Sequence, residues 1–105
     1  MPSSKEYLDV ILSRLSEIDD ISYRPMMGEY LLYCRGKVFG GIYDDRFLVK
    51  ATRSAVSMLP DAPMELPYDG AKRMLRVKAE SKAFLKKLIE AICDDLPDPK
   101  RKIKR

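Results

Sequence analysis

At 105 residues the chain has room for one domain, and its 46% apolar and 34% charged residues fit a soluble folded protein rather than a disordered one. It has no histidine, and its two cysteines, Cys34 and Cys93, match no zinc spacing, so the commonest acid–base residue and the usual metal clusters are missing. The net charge of +4 is uneven: through Leu96 fifteen Lys/Arg face fifteen Asp/Glu, and the excess falls on Pro97 to Arg105, five cations with Asp98.

In chain order, Ser3 and Glu6 form a capping-box pattern, and Leu8, Ile11, Leu12, Leu15 and Ile18 recur at helical spacing, which predicts a helix over 3–18. Four strands follow. Ile21 to Arg24 is expected to stop at Pro25, which cannot donate to a ladder. Glu29 to Arg35, Val38 to Tyr43 and Arg46 to Lys50 come next, with turns at Arg35-Gly36 and Asp44-Asp45. Such short connections force antiparallel neighbours, because a parallel return needs a long crossover. Thr52 is placed to cap a short helix with Ala55, Val56 and Leu59 inward, ended by Pro60. Residues 61–70 read as an irregular connection, and Met74 to Val77 as a strand. Phe84, Leu85, Leu88, Ile89, Ile92 and Leu96 mark an amphipathic helix over 82–96, halted by Pro97. The pattern α-β-β-β-β-α-β-α predicts a two-layer α+β domain over 1–96, with helices on one face of an antiparallel sheet and a basic flexible tail over 97–105.

Each residue that could carry chemistry has a structural alternative. Cys34 and Cys93 are expected as buried small hydrophobes, since no cationic setting for a thiolate is evident. Glu29, Asp44 and Asp45 could pair as acid and base, but Asp44-Asp45 is a natural turn and Glu29 has Arg24 or Lys50 as candidate partners. Gly40-Gly41 within a strand predicts a bulge or a close backbone approach, with a subunit contact as the functional version. Tyr30, Tyr33 and Tyr43, and the scattered methionines, read as packing. Both alternations of the second strand are apolar, Tyr30, Leu32 and Cys34 against Leu31 and Tyr33. Cover on the second face is therefore expected, from a loop or a second copy of the chain. Lys100, Arg101, Lys102, Lys104 and Arg105 are the candidate contact for nucleic acid or an acidic partner. No apolar run approaches the ~18 residues of a membrane span, and the first six residues lack a signal peptide's apolar stretch, so the cytoplasm is the expected location.

The segment from Tyr23 to Tyr33 contains Arg24, Met26, Gly28, Glu29 and Tyr30. The run Gly36-Lys37-Val38-Phe39 and the strand from Asp44 to Lys50 follow it. Together they resemble the TfoX (Sxy) N-terminal domain family, named for a regulator of natural competence. The resemblance implies an α+β domain like the secretion-chaperone fold. It also implies a bacterial regulator of competence-gene transcription that acts with a transcription factor, the cyclic-AMP receptor protein, and uses neither catalytic residues nor a cofactor. Longer members carry a second, helical domain where this sequence has the basic tail. Two functional classes follow. One is a non-enzymatic regulator that binds another protein, with weak DNA contact through the tail. The other is a small-ligand binder or enzyme using the Arg24, Glu29 and Lys50 region.

Overall fold

Three two-residue turns in succession build the centre of the molecule. The computed structural model describes residues 4–78 and 81–97. Met27-Gly28, Arg35-Gly36 and Asp44-Asp45 all lie at positive φ, between 52° and 87°. That double left-handed conformation matches the right-handed twist of the flanking strands. The turns join β1 (Ile21–Met26), β2 (Glu29–Cys34), β3 (Lys37–Tyr43) and β4 (Arg46–Val49) into an antiparallel meander. Before it comes α1 (Lys5–Arg14); after it come α2 (Arg53–Met58), β5 (Met64–Glu65), β6 (Met74–Arg76) and α3 (Lys82–Asp95). The sheet order is β1-β2-β3-β4-β6-β5, antiparallel throughout.

The helices share one face of the sheet. Leu8 and Ile11 of α1, Ala55 of α2 and Leu85, Leu88, Ile89, Ile92 and Cys93 of α3 are fully buried in one cluster with Leu32, Phe39, Ile42, Phe47 and Val49. Each large apolar side chain so buried contributes on the order of 1.5–3 kcal/mol. The α+β class, the antiparallel sheet and the one-sided helices agree with the sequence reading.

Local details differ from it. The expected cap Ser3 lies outside the described residues; Ser4 caps α1, its Oγ accepting the Tyr7 N–H at 3.1 Å. The helix ends at Arg14, and Leu15 and Ile18 reach the core from turns instead, the Ile18 N–H donating to the Leu15 carbonyl. Strand β1 runs through Pro25 to Met26, because β1 is an edge strand, where a missing N–H need not cost a ladder bond. Thr52 caps α2 and Ala55 points inward as expected, but Val56 is exposed. The stretch expected to be irregular contains β5, two residues long and, among the described residues, paired to β6 alone. The tail cations fall within 98–105, outside the described residues.

Candidate functional site

The residues that carry the family resemblance are mostly scaffold. Gly28 and Gly36 occupy left-handed turn positions at φ 87° and 78°. The Glu29 carboxylate accepts the Asp44 N–H at 3.0 Å, steadying a turn that has no glycine. Asp45 in the same turn accepts the Ser4 N–H at 2.9 Å and so ties the start of α1 to the hairpin. Tyr30 lies on the helix face and meets the Tyr23 ring edge-on. Arg24 is exposed on β1, and Met26 ends that strand half-buried.

Phe39 is fully buried at a register shift that lets both Phe39 and Gly40 face the helices. A Cβ at Gly40 would stand 2.2 Å from the Leu48 carbonyl oxygen. The expected close backbone approach at Gly40-Gly41 is therefore found within the chain itself. Lys37 opens β3 and donates from Nζ to the carbonyls of Cys93 and Leu96 at 3.1 and 3.2 Å, placing a cation on the C-terminus of α3. Lys50 is exposed just past β4, its backbone N–H bonded to the Phe39 carbonyl.

Arg24, Glu29 and Lys50 consequently do not converge. Glu29 stands at the β3–β4 turn, whereas Lys50 lies beyond the opposite end of β4. The Glu29 carboxylate is engaged by the Asp44 backbone, and Asp44 and Asp45 form the turn. The two cysteines, 59 positions apart, meet in the core. Cys93 Sγ donates to the Cys34 carbonyl at 3.4 Å, and both are free and buried. Burial, reinforced by the hydrogen bond with Cys93, pushes the Cys34 thiol up to about 11, so it stays protonated and inert at neutral pH. Among the described residues no group of three His, Cys, Asp or Glu side chains is placed to hold a metal, and no helix is long and apolar enough to cross a membrane.

The second face of the sheet is half closed. Tyr43, Leu48 and Met74 form a small buried cluster with Leu31 against it, and the Tyr68 ring stands 6.2 Å from that of Tyr43. Arg46 pins the overlying segment, bonding the Leu66 carbonyl at 3.2 Å and the Glu65 carboxylate at 2.7 Å. Arg76 reaches the other Glu65 oxygen at 3.4 Å. The Arg46 hydrogen bond, chiefly, holds the Glu65 carboxyl below its ordinary range. The expected cover is thus a loop of the same chain over β3, β4 and β6, while Leu31, Tyr33 and Val38 remain half-exposed beside β1.

The most unusual electrostatic feature was missed in reading the sequence. The body is neutral in sum, yet residues 72–87 hold seven cations, Lys72, Arg73, Arg76, Lys78, Lys82, Lys86 and Lys87, against the single acid Glu80. A windowed charge count would have found it; a count over the whole body averaged it away. Helix α3 consequently carries Lys82, Lys86 and Lys87 near its positive end and Glu90, Asp94 and Asp95 near its negative end, the reverse of what the helix dipole favours. The acids are compensated locally: Asp94 meets Arg35 at 3.2 Å, and Asp95 accepts the Ser54 N–H at 2.9 Å. A cavity of about 760 Å³ opens among the end of α2, β6 and the start of α3. Met58, Leu59, Ala62, Val77 and Phe84 give it apolar walls, while Arg76, Lys78 and Asp61 carry the charge.

The geometry defines a small α+β domain whose sequence motif builds hairpin turns, a bulge and a helix cap. The TfoX N-terminal domain family matches residues 13–91, about three-quarters of the chain, and the chain belongs to that family. No curated protein and no solved structure matches it.

Proposed function

We propose that this chain is a non-enzymatic regulatory protein that acts by binding another protein, a transcription factor. Lys100, Arg101, Lys102, Lys104 and Arg105 add weak contact to DNA. Membership in the TfoX N-terminal domain family carries this reading. The separation of Arg24, Glu29 and Lys50 supports it over a small-ligand or catalytic role for that region, since such sites need convergent polar groups in one cleft.

The test pairs capture of tagged protein from native cytoplasm with transcript profiling after deletion of the gene. Recovery of a transcription factor whose regulated genes change on deletion is the expected result. No such partner together with unchanged transcripts would overturn the reading. The tail is tested by fluorescence anisotropy on a DNA duplex across a salt series, using the whole chain and a chain cut after Leu96. Five phosphate contacts give a log–log salt slope of about −4 to −5 that truncation removes. Equal binding by both forms would assign the contact to the folded body.

A further inference from the structure

We propose that the cleft between the end of α2 and the start of α3 is the docking groove for an acidic, amphipathic helical segment of the partner protein. This rests on the reading above and adds the chemistry of what is bound. The groove's size, about 760 Å³, suits anchor side chains, and its walls are apolar on both sides: Met58, Leu59 and Ala62 on one, Val77 and Phe84 on the other. Its rim carries two cations, Arg76 and Lys78, against one acid, Asp61. Lys78 lines it and makes no ion pair among the described residues. Arg76 also lines it, and it holds Glu65 at 3.4 Å where Arg46 holds the same carboxylate at 2.7 Å. Glu65 is thus chiefly committed to Arg46, and the half-exposed Arg76 guanidinium keeps donors for a second carboxylate. Lys87 lies three residues beyond Phe84, which puts it about one turn along the same flank of α3.

Helix α3 opens on Lys82 with no acid in its first turn, a placement that costs stability locally and adds positive potential near the mouth of the groove that Phe84 lines. Local rules broken in this way are expected at functional positions. Charge alone would suit a nucleic acid as well, but a phosphate backbone leaves apolar walls unused. A helix with apolar residues at i, i+3, i+4 and i+7 fills the walls while its Asp and Glu meet Lys78, Arg76 and Lys87. Asp61 at the same opening disfavours an occupant that is anionic all round, and so requires a face that is apolar.

The probe is a fluorescein-labelled synthetic peptide of roughly 14 residues with that apolar spacing and Asp/Glu elsewhere. One control replaces its acids by Lys, and another keeps the composition but disperses the apolar residues. With the full chain, only the amphipathic acidic peptide should give saturable anisotropy, and amide shifts should map to Leu59, Ala62, Val77 and Phe84. Lys78→Glu, an exposed change that leaves the core untouched, and Ala62→Trp, which fills the cleft, should each weaken binding about tenfold or more. Equal binding of the basic peptide, no saturation, or shifts centred on Leu31 and Tyr33 would overturn the groove. If Lys78→Glu protein still captures the transcription factor, the groove is overturned and the regulatory reading survives. If unmodified protein captures none, both fall.

Discussion

Along the helix-covered face of the sheet, Leu32, Phe39, Ile42, Phe47 and Val49 are sealed under three helices that supply the matching apolar stripes. Across the sheet, Tyr43, Leu48 and Met74 are closed by a single loop, which is fastened by Arg46 on Glu65 and the Leu66 carbonyl, by Arg76 on Glu65 and by one tyrosine contact, with Tyr68 itself 57% exposed. The first face is sealed along the central strands and the second only over Tyr43, Leu48 and Met74, and the means differ: one uses area, the other a few polar ties. The contrast teaches where the molecule can tolerate change. Apolar area cannot be given up without a cavity, whereas a polar tie between two half-buried side chains can be lost without leaving one.

The severest break should come at the bulge on the sealed face. Gly40→Ala places a Cβ against the Leu48 carbonyl and the Val49 Cα, backbone atoms that cannot rotate away. A loss above about 3 kcal/mol is expected in urea unfolding. A fully stable variant would show that the strands can part there. Phe47→Ala, which empties a fully buried site on the same face, should cost about 3–5 kcal/mol. Tyr68→Ala on the loop-covered face should cost about 0.5–1.5 kcal/mol. Equal losses for the two would erase the distinction between the faces.

Alkaline titration sharpens the comparison on the sealed face. Because the folded Cys34 thiol titrates near 11 rather than its ordinary 9.0, the unfolded chain loses that proton first as pH rises. The contribution is fully present below pH 9 and is lost between about 9 and 11. Burial also raises Tyr7 and Tyr43 from 10.0, so the window from 9 to 10 reports Cys34 most directly. Cys34→Ala should flatten the fall in stability there, and an unchanged slope would remove the cysteine as its source.

The smallest effect belongs to the other face. Glu65 is held below 4.5 by the Arg46 hydrogen bond first, so its stabilising contribution exists above pH 4.5 and disappears as pH falls through the folded value. Glu65→Gln should make the acid limb of the stability curve shallower and leave stability at pH 7 only slightly lower. An identical acid limb would mean that the loop is fastened by something other than this carboxylate.

Much of the architecture follows from local chemistry. Thr52 and the apolar spacing of α3 locate two helices, and the two-residue turns at Arg35-Gly36 and Asp44-Asp45 compel antiparallel neighbours whatever the rest of the chain does. Such signals are short-range, so they survive in the sequence unaided. Position in the sheet is not local. Pro25 reads as a strand terminator, yet it lies within β1 because only the assembled sheet makes β1 an edge. The same holds for β5, two residues that acquire strand geometry solely by pairing with Leu75 and Met74.

The candidate sites divide in the same way. Residue types are legible directly: the sequence has no histidine and two widely spaced cysteines that match no zinc spacing, and its family motif is readable in one stretch. Tertiary structure alone decided what those residues do. It turned Glu29 to a neighbouring turn, set Lys37 on the end of a helix 56 positions away, and brought Cys34 to Cys93 across the core. It also gathered Met58, Ala62, Val77 and Phe84 into one cleft beneath Arg76 and Lys78. The physical reason is that charge and apolarity are properties of single residues, whereas a cleft, a cap or a shared carboxylate exists only between segments that folding brings together.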